Sequence, residues 1–323
     1  MNITLTGNLG SGKTSVCKEL EKMGYNIVST GTIFREIAAE KGISVIELNE
    51  LAKKDRSIDD LIDNRSIQLG NELDNTVFDS RLAWHFATPS FKVFLLVDTE
   101  EAARRVFEGD SRNAEEYNTL EEAAEGLSLR AKIERERFSE LYGIDYYDGN
   151  NYDLIIESSN ATPEQIAKEI VRNFEIYKEH PFPSKVELNL KCLYPTQKVS
   201  DFSSEVLDKY YANELDNDTL CSTENTCITI KDGYNYILDE HHHAFAAMAA
   251  GKIFTEIRSL SVDDKSLKAV PQNSKSDLYD FEDIGKFKYS VYPQDKPVKH
   301  SYSFDFSNIF SQCAEKEMDE FNR

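Results

Sequence analysis

Eight consecutive residues, Gly7-Asn8-Leu9-Gly10-Ser11-Gly12-Lys13-Thr14, fit the pattern G-x-x-x-x-G-K-[ST]. Glycines at these positions let a tight turn present successive backbone N–H groups to an anion. A helix opening at Lys13 adds the partial positive charge of its N-terminus. The chemistry is phosphate binding: residues Gly7 to Ser15 line the anion, Lys13 reaches the β- and γ-phosphates of a nucleotide, and the Thr14 hydroxyl ligates Mg²⁺. The pattern leaves open whether the terminal phosphoryl group goes to water or to an acceptor.

Arginines bear on that choice. Eleven of the thirteen lie in residues 1–180, the remaining two being Arg258 and Arg323. Transfer to an acceptor requires a second anion held in line with the first, with positive charge around the moving phosphoryl group, and the guanidinium fork suits both tasks. Arg35 follows Ser29-Thr30-Gly31, and Arg81 closes Asp79-Ser80-Arg81. Both come just after an expected strand, at the carboxyl ends where open parallel sheets bind ligands.

The elements that must position these residues alternate. Residues 2–6, 25–29, 76–79, 92–98 and 152–156 read as short buried strands, and residues 13–23, 32–41, 100–108 and 162–178 as helices. Residues 43–73 are mostly helical and charged. This alternation predicts an α/β fold with a parallel sheet covered on both faces. His180-Pro181-Phe182-Pro183-Ser184 is a proline-punctuated linker and sets the first domain at residues 1–180. Strands at 186–190, 227–230 and 234–238 and a helix at 243–250 give a second, smaller α+β domain over residues 184–262. A polar, aromatic-rich extension, 263–323, is expected to pack on it as strands. There is no internal repeat.

The balance of 37 Lys+Arg against 58 Asp+Glu gives a net charge of −21. Both halves are acidic, with 21 basic and 34 acidic residues up to 180, and 16 and 24 beyond. That excludes extended nucleic acid as a partner, although a local cationic site for a small nucleotide survives. No apolar run approaches the ~20 residues that span a bilayer, so no membrane partner is expected. Five scattered cysteines, Cys17, Cys192, Cys221, Cys227 and Cys313, fit reduced packing thiols of a cytoplasmic protein. The start, Met1-Asn2-Ile3-Thr4, has no secretory pattern.

Several segments together resemble the small P-loop nucleoside monophosphate kinases, specifically cytidylate (CMP/dCMP) kinases of archaeal type. They are GNLGSGKTSV, STGTIFREIA, SIDDLIDNRSIQLG, VFDSRLAWHF and ERERFSELYGIDYYDGNNYDLIIES, and they span about residues 1–175. The resemblance implies a P-loop NTPase three-layer parallel sheet, ATP with Mg²⁺, and a CMP or dCMP acceptor. It implies that Thr30, Gly31, Arg35, Asp79 and Arg81 border the acceptor, with Arg35 and Arg81 on its phosphate and Asp63 and Arg65 shaping its pocket. Arg104, Arg112, Arg130 and Arg137 would belong to a lid, and Asp145 would lie near its base. Two features depart from the pattern. Thr32 stands where an acidic residue is usual, and the lid stretch is long and acidic, with Glu115, Glu116, Glu121, Glu122 and Glu125 read as a solvated face.

Residues 186–260 resemble the ParB/sulfiredoxin-like fold, in which a strand leads through an Asp-Gly-His-His-Arg turn into a small-residue helix. Here the turn is Asp239-Glu240-His241-His242-His243, with Glu for Gly and His for Arg. It admits three readings: a polar turn capping the helix, a phosphate contact, or a metal site. In an extended segment adjacent side chains diverge, so only His241 and His243 could share an ion. Two alternatives to cytidylate kinase activity stand beside it. One is an ATP-dependent kinase for another small molecule, including free serine through the second domain. The other is a nucleotide-switched binding protein with little turnover.

Overall fold

The computed structural model describes residues 1–52, 55–109, 117–195, 202–223, 225–231, 234–262 and 302. Strand β1 (Asn2–Gly7) is buried at every position, as a strand covered on both faces must be. It lies between β3 (Thr76–Asp79) and β4 (Ser90–Leu96). Outside these are β2 (Asn26–Ser29) on one side and β5 (Leu154–Glu157) on the other, giving the order β2-β3-β1-β4-β5, all parallel. The chain leaves β1 toward β2 on one side and later reaches β4 on the other, so the carboxyl end of β1 sits at a topological switch point, where such sheets open a crevice.

Alternating side chains fill both faces. Ile3, Leu5, Val93 and Leu95 meet Val16 and Leu20 of helix α1 (Lys13–Lys22). Phe94, Leu96 and Ile155 face the other way, against Tyr146, Tyr147 and Tyr152. Helices α2 (Thr30–Glu40), α3 (Val45–Ala52) and α4 (Ser57–Glu72) make a satellite core from Ile33, Ile37, Leu48 and Ile58. The short α5 (Ala83–Phe86) follows β3. Helices α6 (Thr99–Glu108) and α7 (Leu120–Tyr142) pack through Ala102, Ala103, Ala123 and Leu127 onto Leu9 and Val97. Helix α8 (Pro163–Glu179) opens with a capping box in which Thr162 and Gln165 satisfy each other's backbone N–H, a device that fixes a helix start.

Beyond the linker the sheet does not stop. Strand β6 (Lys185–Asn189) adds in parallel to β5. The sheet then runs through β10 (Phe254–Val262), β8 (Thr226–Lys231), β9 (Tyr234–Asp239) and β7 (Leu193–Pro195) to make ten strands. The pairs β6/β10 and β8/β9 are antiparallel. Helices α9 (Ser204–Leu215) and α10 (His241–Ala249) accompany this part. The fold is therefore mixed α/β with a mostly parallel sheet, and the strands assigned to a smaller α+β unit continue the first sheet edge to edge. Of the aromatic extension, Tyr302 is described and packs on the core beside Asn235, whose amide donates to its hydroxyl at 3.4 Å. Tyr279, Phe281, Phe287, Tyr289, Tyr292, Phe304, Phe306 and Phe310 lie outside the described residues. Cys17, Cys192 and Cys221 are free and buried.

A buried polar knot joins α8 to β6. Asn173 donates to Glu187 at 3.0 Å, and Arg172 bonds both Glu169 and Glu187. Burial, with Glu169 alongside, pushes the Glu187 carboxyl well above its ordinary value. Removing the cation leaves two buried carboxylates facing each other. Arg172→Ala is expected to cost about 2 kcal/mol, since Arg172 itself keeps some solvent contact; an unchanged denaturation midpoint would show that the knot is not held by this charge.

Candidate functional site

The Gly7–Thr14 loop is pinned to the sheet by its own backbone and by one side chain. Asn8 donates its N–H to Leu95 at 3.1 Å, and its side-chain oxygen accepts from the Val97 N–H at 3.2 Å. Gly10 and Gly12 hold φ of 76° and 86°, left-handed values that disfavour a side chain. A Cβ on Gly7 would lie 2.6 Å from the Leu95 carbonyl, and one on Gly10 would lie 2.8 Å from that of Ala102. Helix α1 opens at Gly12 with no side-chain cap and no acidic residue in its first turn. The buried Ser11 hydroxyl has no hydrogen-bond partner among the described residues. An uncapped helix start, an orphaned hydroxyl and a glycine-lined turn are what a bound phosphate completes.

The loop borders a cavity of about 600 Å³ whose other walls include Arg81, Arg105 and Arg130. Arg81 donates from Nη1 to the Gly7 carbonyl at 3.2 Å and from Nε to Glu134 Oε2 at 3.0 Å. Arg130 donates to the other oxygen of Glu134 at 3.1 Å, and the Tyr146 hydroxyl approaches at 3.4 Å. Burial favours a protonated Glu134, but Arg81 and Arg130 outweigh it and hold the carboxyl below its usual range. Lys13 is partly exposed, yet the protein around its ammonium, and then the Arg81 charge, pull its pKa down to about 7, opposed by Asp79 and Glu134. Four cations, Lys13, Arg81, Arg105 and Arg130, thus line the cavity at the loop, with the Glu134 carboxylate shared by Arg81 and Arg130.

Several other expected residues, Arg35, Asp63, Arg65, Arg104, Arg137 and Asp145, lie outside the wall of this cavity. Arg104 points to solvent and is held by Glu101 and Glu108 on its own helix. Its neighbour Arg105 is the one on the loop. Arg105 donates to Ser11 O at 3.3 Å, to Ser158 O at 2.6 Å and to Ser159 O at 3.0 Å, with Glu101 taking its Nε at 2.7 Å. Helical phase was the available signal, because residue 105 falls one turn beyond the buried Ala102, on the stripe facing the loop. Glu134 stands four residues after Arg130, a spacing that makes helix neighbours, and that spacing is the one local signal of its pairing with Arg130.

Arg137 bridges α7 to α4 through two 2.8 Å bonds to Asp59. Arg135 holds Asp145 and lies over the Tyr147 ring; this pair borders a separate cavity of about 580 Å³ against α7. Asp63 accepts from the Tyr142 hydroxyl at 2.8 Å, while burial, with Asp59 and Asp60 nearby, pushes its pKa up to about 6. Arg65 is taken up by Glu40 at 2.7 and 2.9 Å. Arg35 is exposed, 3.3 Å from Thr32 Oγ1, and is not part of the loop cavity wall. Thr32 bonds the hydroxyl of Ser29, the cap of α2, at 2.9 Å. Glu121, Glu122 and Glu125 are exposed, as a solvated face requires; Arg112, Glu115 and Glu116 lie outside the described residues.

A profile of the Cytidylate kinase-like family matches residues 2–160. The cytidylate kinase of Methanobrevibacter smithii is 32% identical over 177 residues, 54% of this chain and 99% of that protein. That of Methanothermobacter thermautotrophicus is 33% identical over 165 residues, 51% of this chain and 99% of that protein. The S-adenosylmethionine-dependent nucleotide dehydratase of Lacinutrix mariniflava is 33% identical over 175 residues, 54% of this chain and 36% of that protein. Each match covers about half of this chain.

Proposed function

The chain belongs to the cytidylate kinase-like family, and on that premise we propose that this ATP-dependent phosphotransferase moves the γ-phosphate of ATP·Mg²⁺ onto CMP or dCMP. The observation that carries the reading is the convergence of Lys13, Arg81 and Arg130 on the cavity of the glycine loop. In this reading the loop N–H groups and Lys13 hold the donor phosphates, and Thr14 ligates Mg²⁺, which neutralises charge on the transferring group. Arg81 sits between the loop and Glu134, where donor and acceptor phosphates meet. Arg130 closes from α7, and Arg105 braces the loop through its carbonyls. The acceptor phosphate is already a nucleophile, so positioning and charge neutralisation supply the catalysis. Asp63, with Arg35 and Arg65, borders the acceptor pocket in this reading.

The same proposal makes the protein cytoplasmic and its partner a small nucleotide. Among the described residues no helix is long and apolar enough to cross a membrane. Residues 184–262 serve as a ParB/sulfiredoxin-like unit in this reading, supported by the passage of β9 through Glu240 into the His241 start of α10.

Purified protein given ATP, Mg²⁺ and, separately, CMP, dCMP, UMP, AMP, GMP and L-serine is expected to phosphorylate the two cytidine nucleotides with the highest kcat/KM. Intact ATP binding with no phosphorylated acceptor would overturn the reading. A pH effect follows from Lys13. Its free pKa of about 7 rises when phosphate sits beside it, so binding takes up a proton once the pH exceeds 7. ATP affinity is therefore expected to fall as pH rises from 7 to 9. Calorimetry in buffers of different ionisation enthalpy should register that proton; equal heats in all buffers at pH 8 would refute it.

A further inference from the structure

The family profile ends at residue 160, and a second cluster of chemical groups lies well beyond it. The three histidines are not in an extended segment. They form the first turn of α10, with Glu240 as its N-cap, so side chains expected to diverge are brought together. His241 is buried beneath the helix. His242 and His243 both turn to the Glu240 carboxylate, with Nε2 atoms 3.3 and 3.2 Å from the same oxygen. One ligand atom from each of the three lies within 4.8 Å of the others.

We propose that Glu240, His242 and His243 bind a divalent transition-metal ion of the zinc class. Ligand atoms ~2.0–2.1 Å from a tetrahedral ion stand about 3.3 Å apart, which is the spacing of both His–Glu pairs here, whereas a charge-assisted N–H to carboxylate bond closes to ~2.7–2.9 Å. Two imidazoles and one carboxylate suit Zn²⁺ or its neighbours in the first transition row. Mg²⁺ and Ca²⁺ favour all-oxygen shells. The Tyr210 ring of α9 lies 4.3 and 4.0 Å from the two imidazole centroids and limits their rotation, as groups around a metal site must. Glu240 holds φ of 66°, a conformation that favours glycine, so the carboxylate is kept where the backbone would prefer no side chain. Side-chain exposures of 26%, 23% and 9% for Glu240, His242 and His243 leave the cluster open on one side. Three protein ligands with an open fourth position are the arrangement of zinc sites that admit water or a small anion.

The full chain, stripped with chelator and kept free of nucleotide, should be titrated with Co²⁺ and followed by visible absorption. The expected result is one equivalent bound with the strong d–d bands of a four- or five-coordinate ion, displaced by Zn²⁺. Glu240→Gln and His242→Ala are each expected to weaken binding by more than roughly 100-fold, beyond the ~10–100-fold cost of disturbing an outer partner, with circular dichroism reporting an unchanged fold. Wild-type protein without those bands overturns the proposal whatever the variants do. So does unchanged affinity in a folded variant, which would leave Glu240 as a plain hydrogen-bond acceptor for two imidazoles.

Discussion

Lys13→Ala is expected to lower kcat by roughly 10²–10³-fold, the cost of deleting one preorganised group aimed at developing charge. Lys13 opens α1 directly after the left-handed Gly12, so its side chain springs from a fixed turn at the helix N-terminus. Burial and the Arg81 charge already disfavour its protonated form in the free protein. Loss of the side chain therefore relieves repulsion and leaves the denaturation midpoint unchanged or slightly raised. That combination, large in rate and small in stability, separates a chemical role from a packing role. Lys13→Arg should restore little, because a planar fork does not fit where a point charge reaches between phosphates. A kcat within tenfold of wild type in Lys13→Ala, at saturating ATP and acceptor, would move the chemistry away from this loop.

The loop could be read from sequence because everything it needs is local. A buried strand, a glycine turn and a helix start are consecutive in the chain, and each element restricts the next. The arginines on α6 and α7 needed one step more. Residues 104 and 105 are chemically identical, and helix phase alone sends one to solvent and the other to the loop carbonyls. Glu134 was hidden differently: its importance comes from Arg81, which reaches it from the far end of β3, 53 residues away in the chain.

The second part shows where local reading stops. The apolar pattern marks residues 186–190 as a strand but not 254–262, and the antiparallel pairing that joins Leu188 to Thr255 runs across an intervening helix pair and three strands. A proline-rich linker suggested a boundary, and the hydrogen bonds of β6 cross it. The histidines repeat the lesson on a smaller scale. Whether residues 241–243 are extended or helical decides which side chains meet, and the two-residue shift in the start of α10, from the expected 243 to 241, changes the answer.

The second large effect is expected at Arg81. Removing it takes away a guanidinium that contacts the loop at Gly7 and shares Glu134 with Arg130, so Arg81→Ala should lower kcat/KM for the acceptor by roughly 10²–10³-fold. Arg81→Lys should recover only part of this, since one ammonium cannot serve both the Gly7 carbonyl and a carboxylate or phosphate in fork geometry. Glu134 makes the prediction sharper. In the free protein it occupies the two arginines that a nucleotide would otherwise engage, so it is both their positioning partner and a competitor for their charge. Glu134→Gln is therefore expected to destabilise the free protein by about 1–2 kcal/mol, and ATP with CMP should close that gap by supplying the missing anion. Arg81→Ala leaves Glu134 half-satisfied, and the cost in stability should shrink when both changes are combined, giving a coupling of about 1 kcal/mol or more. The readout is the denaturation midpoint of the four proteins, each with and without nucleotides. Additive losses that nucleotides do not reduce would show that Glu134 neither positions nor competes for Arg81.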